Sequence, residues 1–323
     1  MNSLPFPIEE RFYRYSRFLE SKFKHKTQKI SINAGFSCPN LDGTIDTKGC
    51  IYCNNNSFKP NYCEPSISIH QQIEIGVDFF QRKHNYLYLA YFQSFTNTHT
   101  SPDRLESKLM EALSHPKVSG IIVSTRPDCL PPEIIEVLAS INQKKPVMVE
   151  IGVESTSDET LRFLNRGHTF SQVEHAVYKV VEANLEIGAH LILGLPTENR
   201  QTMVTHAQTL SKLPLNSLKL HQLQIVKNTA LERIYHSSPE IFHPMEVAEY
   251  VELCCDFLEH LRPDIAIERF ASQVKPELLV VSPWNGVKNL HISEMVKKRL
   301  KQRESHQGIK FLSQGSINSQ KQA

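Results

Sequence analysis

Short apolar runs recur along the chain, and each is followed by a stretch in which apolar residues return every three or four positions. The runs predict strands over residues 30–36, 86–93, 120–125, 147–155, 187–195 and 218–226. Between them, Ser101 and Pro102 open a helix carrying the stripe Leu105, Leu109 and Ala112, and Pro131-Pro132 opens one carrying Ile135, Leu138 and Ile141. Two later stripes are Val173, Ala176, Val177 and Val180, then Val247, Tyr250, Val251, Cys254 and Leu258. Regular alternation of strand and helix predicts an α/β fold with a parallel sheet, either closing as a full or partial barrel or opening as a doubly wound sheet.

The same pattern divides the chain. Residues 1–29 form a basic and aromatic helical segment and residues 30–262 the alternating core. Residues 263–300 are an extension packing on it, with one more strand over 277–281 and a turn at Pro283-Trp284-Asn285-Gly286. Residues 301–323, rich in Gln, Ser, Lys and Asn, are too polar to order themselves and read as a disordered tail.

At 323 residues, with 40% apolar and 22% charged positions, the composition is that of an ordinary globular protein. A formal charge of +2 supplies no field that would by itself imply a polyanionic partner. No apolar run approaches the roughly 18 residues of a membrane span, and residues 1–29 lack the apolar stretch of a signal peptide. The expectation is a cytoplasmic protein without a membrane, whose seven cysteines stay reduced and suit metal binding better than disulfides.

Three of those cysteines, Cys38, Cys50 and Cys53, lie in GFSCPNLDGTIDTKGCIYCNN, directly after the first strand. Cys50 and Cys53 can chelate one centre, and the turn formers Pro39-Asn40, Asp42-Gly43 and Lys48-Gly49 allow Cys38 to return as a third ligand. Three thiolates leave one position open on a four-iron cluster. Cys63, ten positions on, is the alternative fourth ligand of a closed zinc site in a non-catalytic protein or RNA-binding module. The loop's place at the end of a strand in a β/α series, where such folds put their sites, favours the open cluster. Cys129, Cys254 and Cys255 read as core thiols.

GFSCPNLDGT, GCIYC, YFQSFTNT, STRPDCLP, VEIGVES, LNRGH, HLILGLP and VSPWNG together resemble the radical S-adenosylmethionine (SAM) superfamily. Within it they are most similar to the YhcC/YtqA branch, related to the elongator tRNA-modifying subunit and to oxygen-independent coproporphyrinogen oxidase. The resemblance covers about residues 30–290. It implies a partial (β/α)6 TIM-type barrel with a C-terminal extension, a [4Fe-4S] cluster on Cys38, Cys50 and Cys53, and SAM on the fourth iron. It also implies an external reductant such as flavodoxin or ferredoxin, and reductive cleavage of SAM to a 5′-deoxyadenosyl radical that acts on an unassigned substrate. The spacing of eleven between the first two cysteines departs from the superfamily's usual three but matches the branch.

Alternation on the fourth strand puts Glu150, Gly152 and Glu154 on one face, opposite Val149, Ile151 and Val153, so the carboxylates point into the barrel. A buried carboxylate needs a partner: ribose hydroxyls, or a salt bridge with Arg126 or Arg166. The resemblance makes Glu154 a ribose contact and Arg166 the grip on the SAM carboxylate. It sets the adenine against a face holding Gly188, His190, Ile192 and Gly194, with His190 at a polar ribose position. Gln93 stands where relatives bind the SAM amine, Tyr52 where an aromatic ring packs by the adenine, and Ser124 and Arg126 face either SAM or substrate. His221, Gln222 and Gln224 are further candidates for the cavity wall.

Before the first strand, Arg11, Arg14, Arg17, Lys22, Lys24, Lys26 and Lys29 interleave with Phe12, Tyr13, Tyr15, Phe18 and Phe23. That mixture suits RNA and, with the tRNA-modifying relatives, raises a tRNA substrate. The helical spacing of Phe12, Tyr15, Leu19 and Phe23 favours the plainer reading, an amphipathic helix capping the barrel bottom.

Overall fold

The computed structural model describes residues 4–81, 86–281, 284 and 286–312. Seven strands, β1 (Thr27–Ile32), β2 (Leu87–Phe92), β3 (Val118–Thr125), β4 (Val147–Glu154), β5 (Glu186–Leu193), β6 (Ser217–Gln222) and β7 (Ala266–Arg269), pair in chain order and in parallel. The helices are α1 (Tyr15–Phe23), α2 (Ile69–Gln81), α3 (Pro102–Leu113), α4 (Pro132–Asn142), α5 (Asp158–Phe163), α6 (Phe170–Glu182), α7 (Arg200–Leu210), α8 (Ala230–Ser237), α9 (Val247–His260) and α10 (Asn289–Gln302).

Alternation on the strands separates two environments. Outward residues such as Ile30, Phe92, Val123, Val149, Ile151 and Leu191 are buried against the predicted helix stripes, so the main core lies between sheet and helices. Inward residues are polar toward the C-terminal ends. The edge strands reach each other, since Lys29 of β1 and Glu268 of β7 meet at 2.5 Å, so the sheet is curled. The architecture is an α/β partial TIM-type barrel.

The N-terminal segment closes the bottom. Tyr13, Tyr15 and Leu19 pack on Leu89, Ile122, Met148 and Ala266, the lowest inward layer, and the Ile267 amide donates to the Tyr13 carbonyl at 2.7 Å. Phe12, at 2% exposure, enters the main core. These rings are therefore not available to stack on bases. Several of the basic residues are also engaged: Arg14 with Glu294, Arg17 with Glu10 and Lys22 with Glu186, while Lys29 belongs to β1 and points inside the barrel.

Two expectations for the C-terminal part are corrected. The seventh strand is β7, not residues 277–281: Pro276–Leu278 is a 3₁₀ turn, and beyond it, among the described residues, only Leu279 makes an isolated bridge, to Val226. Of the expected turn, Trp284 and Gly286 are described, with the Trp284 indole donating to the Met245 carbonyl at 2.9 Å, while Pro283 and Asn285 lie outside the described residues. Order runs past Lys301 to Leu312. Gln307, fully buried, accepts from the Tyr13 amide and donates to the Arg262 and Ile265 carbonyls, each at 2.9 Å, a polar residue acting as an internal tie. Residues 313–323 of the expected tail lie outside the described residues.

Candidate active site

A cavity of about 650 Å³ opens at the C-terminal ends of the strands. Cys38, Cys50, Cys53, Tyr52, Gln93, Ser124, Glu154, Arg166 and His190 all line it. Gly194 does not: with φ of +89° just after β5, it lines a smaller cavity of about 50 Å³ near Met245 and Trp284. The positive φ carries the chain off the strand before the alternation can return it to the inner face.

The cysteine loop is held in place by side-chain amides. Asn40 donates from Nδ2 to the Asn165 carbonyl at 2.6 Å and reaches the Cys50 Sγ at 3.4 Å. Asn165, itself at a left-handed φ of 54°, donates back to Asp46 at 2.6 Å and to the Gly49 carbonyl at 2.8 Å. Gly49 sits at φ +73°, and a Cβ there would come within 2.8 Å of Leu41. Cys50 and Cys53 share one turn, the Cys53 amide donating to the Cys50 carbonyl at 3.0 Å. Burial pushes the Cys53 thiol well above its ordinary value; Cys50 and Cys38 nearby add to the shift and Arg166 opposes it.

Cys63 is elsewhere. Its fully buried Sγ donates to the Ser31 carbonyl at 2.9 Å, and burial pushes its thiol up to about 12. A tetrahedral zinc site needs sulfurs about 3.8 Å apart, from a Zn–S length near 2.3 Å. Among the described residues, the only group of three potential ligands whose donor atoms lie within 4.8 Å of one another is His70, Glu74 and His115, away from the cysteine loop.

Arg166 is committed to the protein. Nη2 donates to the Gly152 carbonyl at 2.6 Å, Nη1 to the Tyr52 hydroxyl at 3.2 Å and the Cys50 Sγ at 3.4 Å, and Nε to the His168 Nε2 at 3.2 Å. His168, an acceptor there, is driven down to about 3 by burial and by the positive charges of Arg166 and Arg126. Glu154 approaches Arg166 only to 3.9 Å and, among the described residues, makes no hydrogen bond, which leaves its acceptor sites available. It stands at φ +65°, where the β4–β5 register shifts, a rare conformation for a side-chain-bearing residue and one that re-aims the carboxylate at the cavity. A Cβ at Gly152 would lie 2.6 Å from the Glu154 Oε1, so glycine is what allows this approach. Arg126 forms a two-pronged pair with Asp128 at 2.9 and 3.0 Å, and its buried Nη1 has no partner among the described residues.

Of the two readings for Glu150, ribose hydroxyls or a salt bridge with Arg126 or Arg166, the salt bridge is corrected: its partners are other residues. Its Oε1 meets Lys29 at 2.6 Å, and its Oε2 meets Lys219 at 2.5 Å and His190 at 3.1 Å; Lys219 also donates to the Tyr91 hydroxyl at 3.0 Å. This charged layer contacts Tyr91 and His190, which line the cavity. Burial lowers Lys219 to about 8 against the pull of Glu150 and Glu268, and lowers His190 with help from Lys219, so the imidazole is neutral and donates from Nε2. Sequence reasoning missed Lys29, Tyr91, Lys219 and Arg269 as inward residues. Alternation with Ile30, Ala90, Leu218 and Leu220 was the available signal for the first three.

Known proteins resemble this chain in sequence and in fold. Residues 47–210 match the family model of the radical SAM superfamily, and residues 215–302 match that of the Radical_SAM C-terminal domain. The chain is 32% identical to Bacillus subtilis YtqA over 317 residues, covering 96% of this chain and 97% of that one. It is 29% identical to Escherichia coli YhcC over 267 residues, 82% of this chain and 85% of that one. An archaeal Elp3 from Methanocaldococcus infernus shares the fold, with a TM-score of 0.68 at 13% identity, over 87% of this chain and 64% of that one, just under two thirds of its length. Among the described residues no helix is long and apolar enough to cross a membrane. The chain belongs to the radical SAM superfamily, in its YtqA- and YhcC-like branch, and is a radical SAM enzyme.

Proposed function

We propose that Cys38, Cys50 and Cys53 hold a [4Fe-4S] cluster and that the adjoining cavity seats SAM. When bound and reduced, the cluster supplies the electron that cleaves the SAM sulfonium, giving a 5′-deoxyadenosyl radical that abstracts hydrogen from a substrate. The observation that carries the reading is three cysteines on one cavity rim with the fourth candidate, Cys63, turned away onto Ser31.

The residues present fit both groups. Asn40 and Arg166 direct N–H donors at the Cys50 sulfur, which fixes where that ligand points. Glu154, with free lone pairs, accepts from the ribose hydroxyls, and Tyr52 supplies an apolar wall for the adenine. The SAM carboxylate goes to the Arg126–Arg166 pair: Arg126 offers its unpartnered Nη1, and Arg166 the N–H otherwise given to Tyr52. Gln93, held by the Ser31 hydroxyl at 2.8 Å, presents its side chain toward the amine, and Ser124 and His190 complete the polar wall. The electron comes from an outside reductant of the flavodoxin or ferredoxin kind. Of the five aromatic rings that, with the basic residues around them, raised a tRNA substrate, Phe12, Tyr13 and Tyr15 are buried, while Phe18 and Phe23 are half-buried.

Anaerobic reconstitution tests the reading. The wild type should take up about four irons and four sulfides and release 5′-deoxyadenosine with dithionite and SAM. Serine at Cys38, Cys50 or Cys53 should abolish both, and Cys63→Ser should not. A stoichiometric zinc ion, with no response to SAM, would overturn it.

A further inference from the structure

The β6–β7 wall of the cavity carries a cation that the cysteine end does not use. Arg269, the last residue of β7, lines the cavity; its Nη2 lies 3.3 Å from the His221 Nε2, and its Nε is buried with no partner among the described residues. No carboxylate pairs with it among the described residues. The neighbouring Glu268 is taken by Lys29 at 2.5 Å and Lys219 at 3.3 Å. His221 supplies no negative charge either, since burial and Arg269 hold it well below its ordinary value, neutral and able to accept the arginine's N–H. The other inward arginines differ: Arg126 has Asp128 and Arg166 has Glu154.

The surrounding wall is fixed. The Gln222 side chain exchanges two hydrogen bonds with the Ser272 backbone at 2.9 and 3.0 Å, and the Ser272 hydroxyl donates to the Gln224 Oε1 at 2.8 Å, so β6 and the segment after β7 are tied at the height of Arg269. A half-buried guanidinium, with its Nε unpartnered, no counter-charge among the described residues and a cavity before it, is complementary to an oxyanion, which its planar fork can bind through two N–H groups. We propose that Arg269 and His221 form the seat for an oxyanion of the substrate, a carboxylate or a phosphate, on the β6–β7 wall. The assignment rests on reading the cysteine end as the SAM site, which leaves this wall to the substrate.

Succinate and pyrophosphate, titrated calorimetrically into the full chain loaded with cluster and SAM, distinguish the two sources. One of them should bind, R269Q should weaken it by about tenfold or more, and R269K should recover part of the loss. Thermal unfolding of R269Q and R269K establishes that each is folded before binding is read. The assignment is overturned if neither anion binds, or if R269Q binds as tightly as wild type. It is also overturned if R126Q removes the anion as fully as R269Q does, or if SAM itself binds R269Q tenfold more weakly, because the anion then belongs to the SAM carboxylate. Failure of the wild type to load cluster or SAM refutes the proposed function instead, and is seen before any anion is added.

Discussion

Replacing Glu150 by Gln tests the charged layer. The layer holds two ammonium groups, Lys29 and Lys219, against two carboxylates, Glu150 and Glu268, so it is neutral as folded. Glu150, 3% exposed, contacts both lysines at 2.6 and 2.5 Å. E150Q keeps the shape but leaves two buried cations sharing one carboxylate. Breaking a buried pair from one side costs about 3–5 kcal/mol, a fall in Tm on the order of 10 °C for a chain of this size. Removing the cation as well should restore much of it, so E150Q/K219M should be more stable than E150Q alone, with a coupling energy above about 1 kcal/mol.

The pH dependence has a definite sign. Lys219 titrates near 8 in the fold against an ordinary 10.5, so between those values the unfolded chain binds the extra proton and stability rises with pH. Glu150 is the larger of the attractions that keep Lys219 from falling further, so in E150Q the folded value drops below 8. The part of the penalty due to Lys219 is then fully present below that lowered value and gone once the pH passes about 8. Urea unfolding at pH 7 and pH 9 reads this directly: the gap between wild type and E150Q should narrow at the higher pH. A penalty under about 1 kcal/mol at pH 7, or a gap that widens with pH, would refute the reasoning.

Gly152→Ala places a methyl 2.6 Å from the Glu154 Oε1 and 2.9 Å from the Arg166 Nη2; SAM affinity by equilibrium dialysis should fall at least about tenfold, with thermal stability changed far less. Gln307→Ala leaves the Tyr13 amide and the Arg262 and Ile265 carbonyls without their partner and should cost about 2–3 kcal/mol in urea unfolding, which a disordered tail beginning at Lys301 would not produce. Asn165→Gly keeps the left-handed backbone but removes the ties to Asp46 and Gly49; iron retained after gel filtration should drop while the unfolding midpoint barely moves.

The six longer strands were legible because each has an apolar outer face packed on an amphipathic helix, two periodicities that confirm each other. β7 was not, since Ala266 and Ile267 are its only apolar residues and Glu268 and Arg269 point to functional surroundings rather than to the core. Residues 277–281 misled in the opposite direction: Val280 and Val281 have strand-forming side chains, but Pro276 starts a 3₁₀ turn and, among the described residues, no strand neighbour extends beyond the Val226 bridge. Lys29 was grouped with the basic residues before it by proximity in sequence, although its alternation with Ile30 and Ile32 already placed it on an inner face. Gln307 carried no sequence signal at all, because a buried amide is identified only by the backbone groups that surround it.

The long spacing between Cys38 and Cys50 shows why motif and geometry had to be read together. A chain segment of this length has conformational freedom that would have to be lost for both thiols to hold one metal centre, as proposed. Here the freedom is removed by residues outside the cysteine motif: Asn40 inside the loop and Asn165 beyond α5 donate across to each other's segments, Asp46 and Gly49 accept from Asn165, and the Ile51 amide donates to the Leu164 carbonyl at 3.1 Å. The LNRGH element therefore has two duties. Its asparagine fixes the path of the loop, and its arginine presents N–H groups to Cys50 while holding the Gly152 carbonyl. Loop and strand are positioned by one short segment, so a substitution there would displace the cysteine rim and the proposed SAM wall together, which a longer loop anchored only at its own ends would not do.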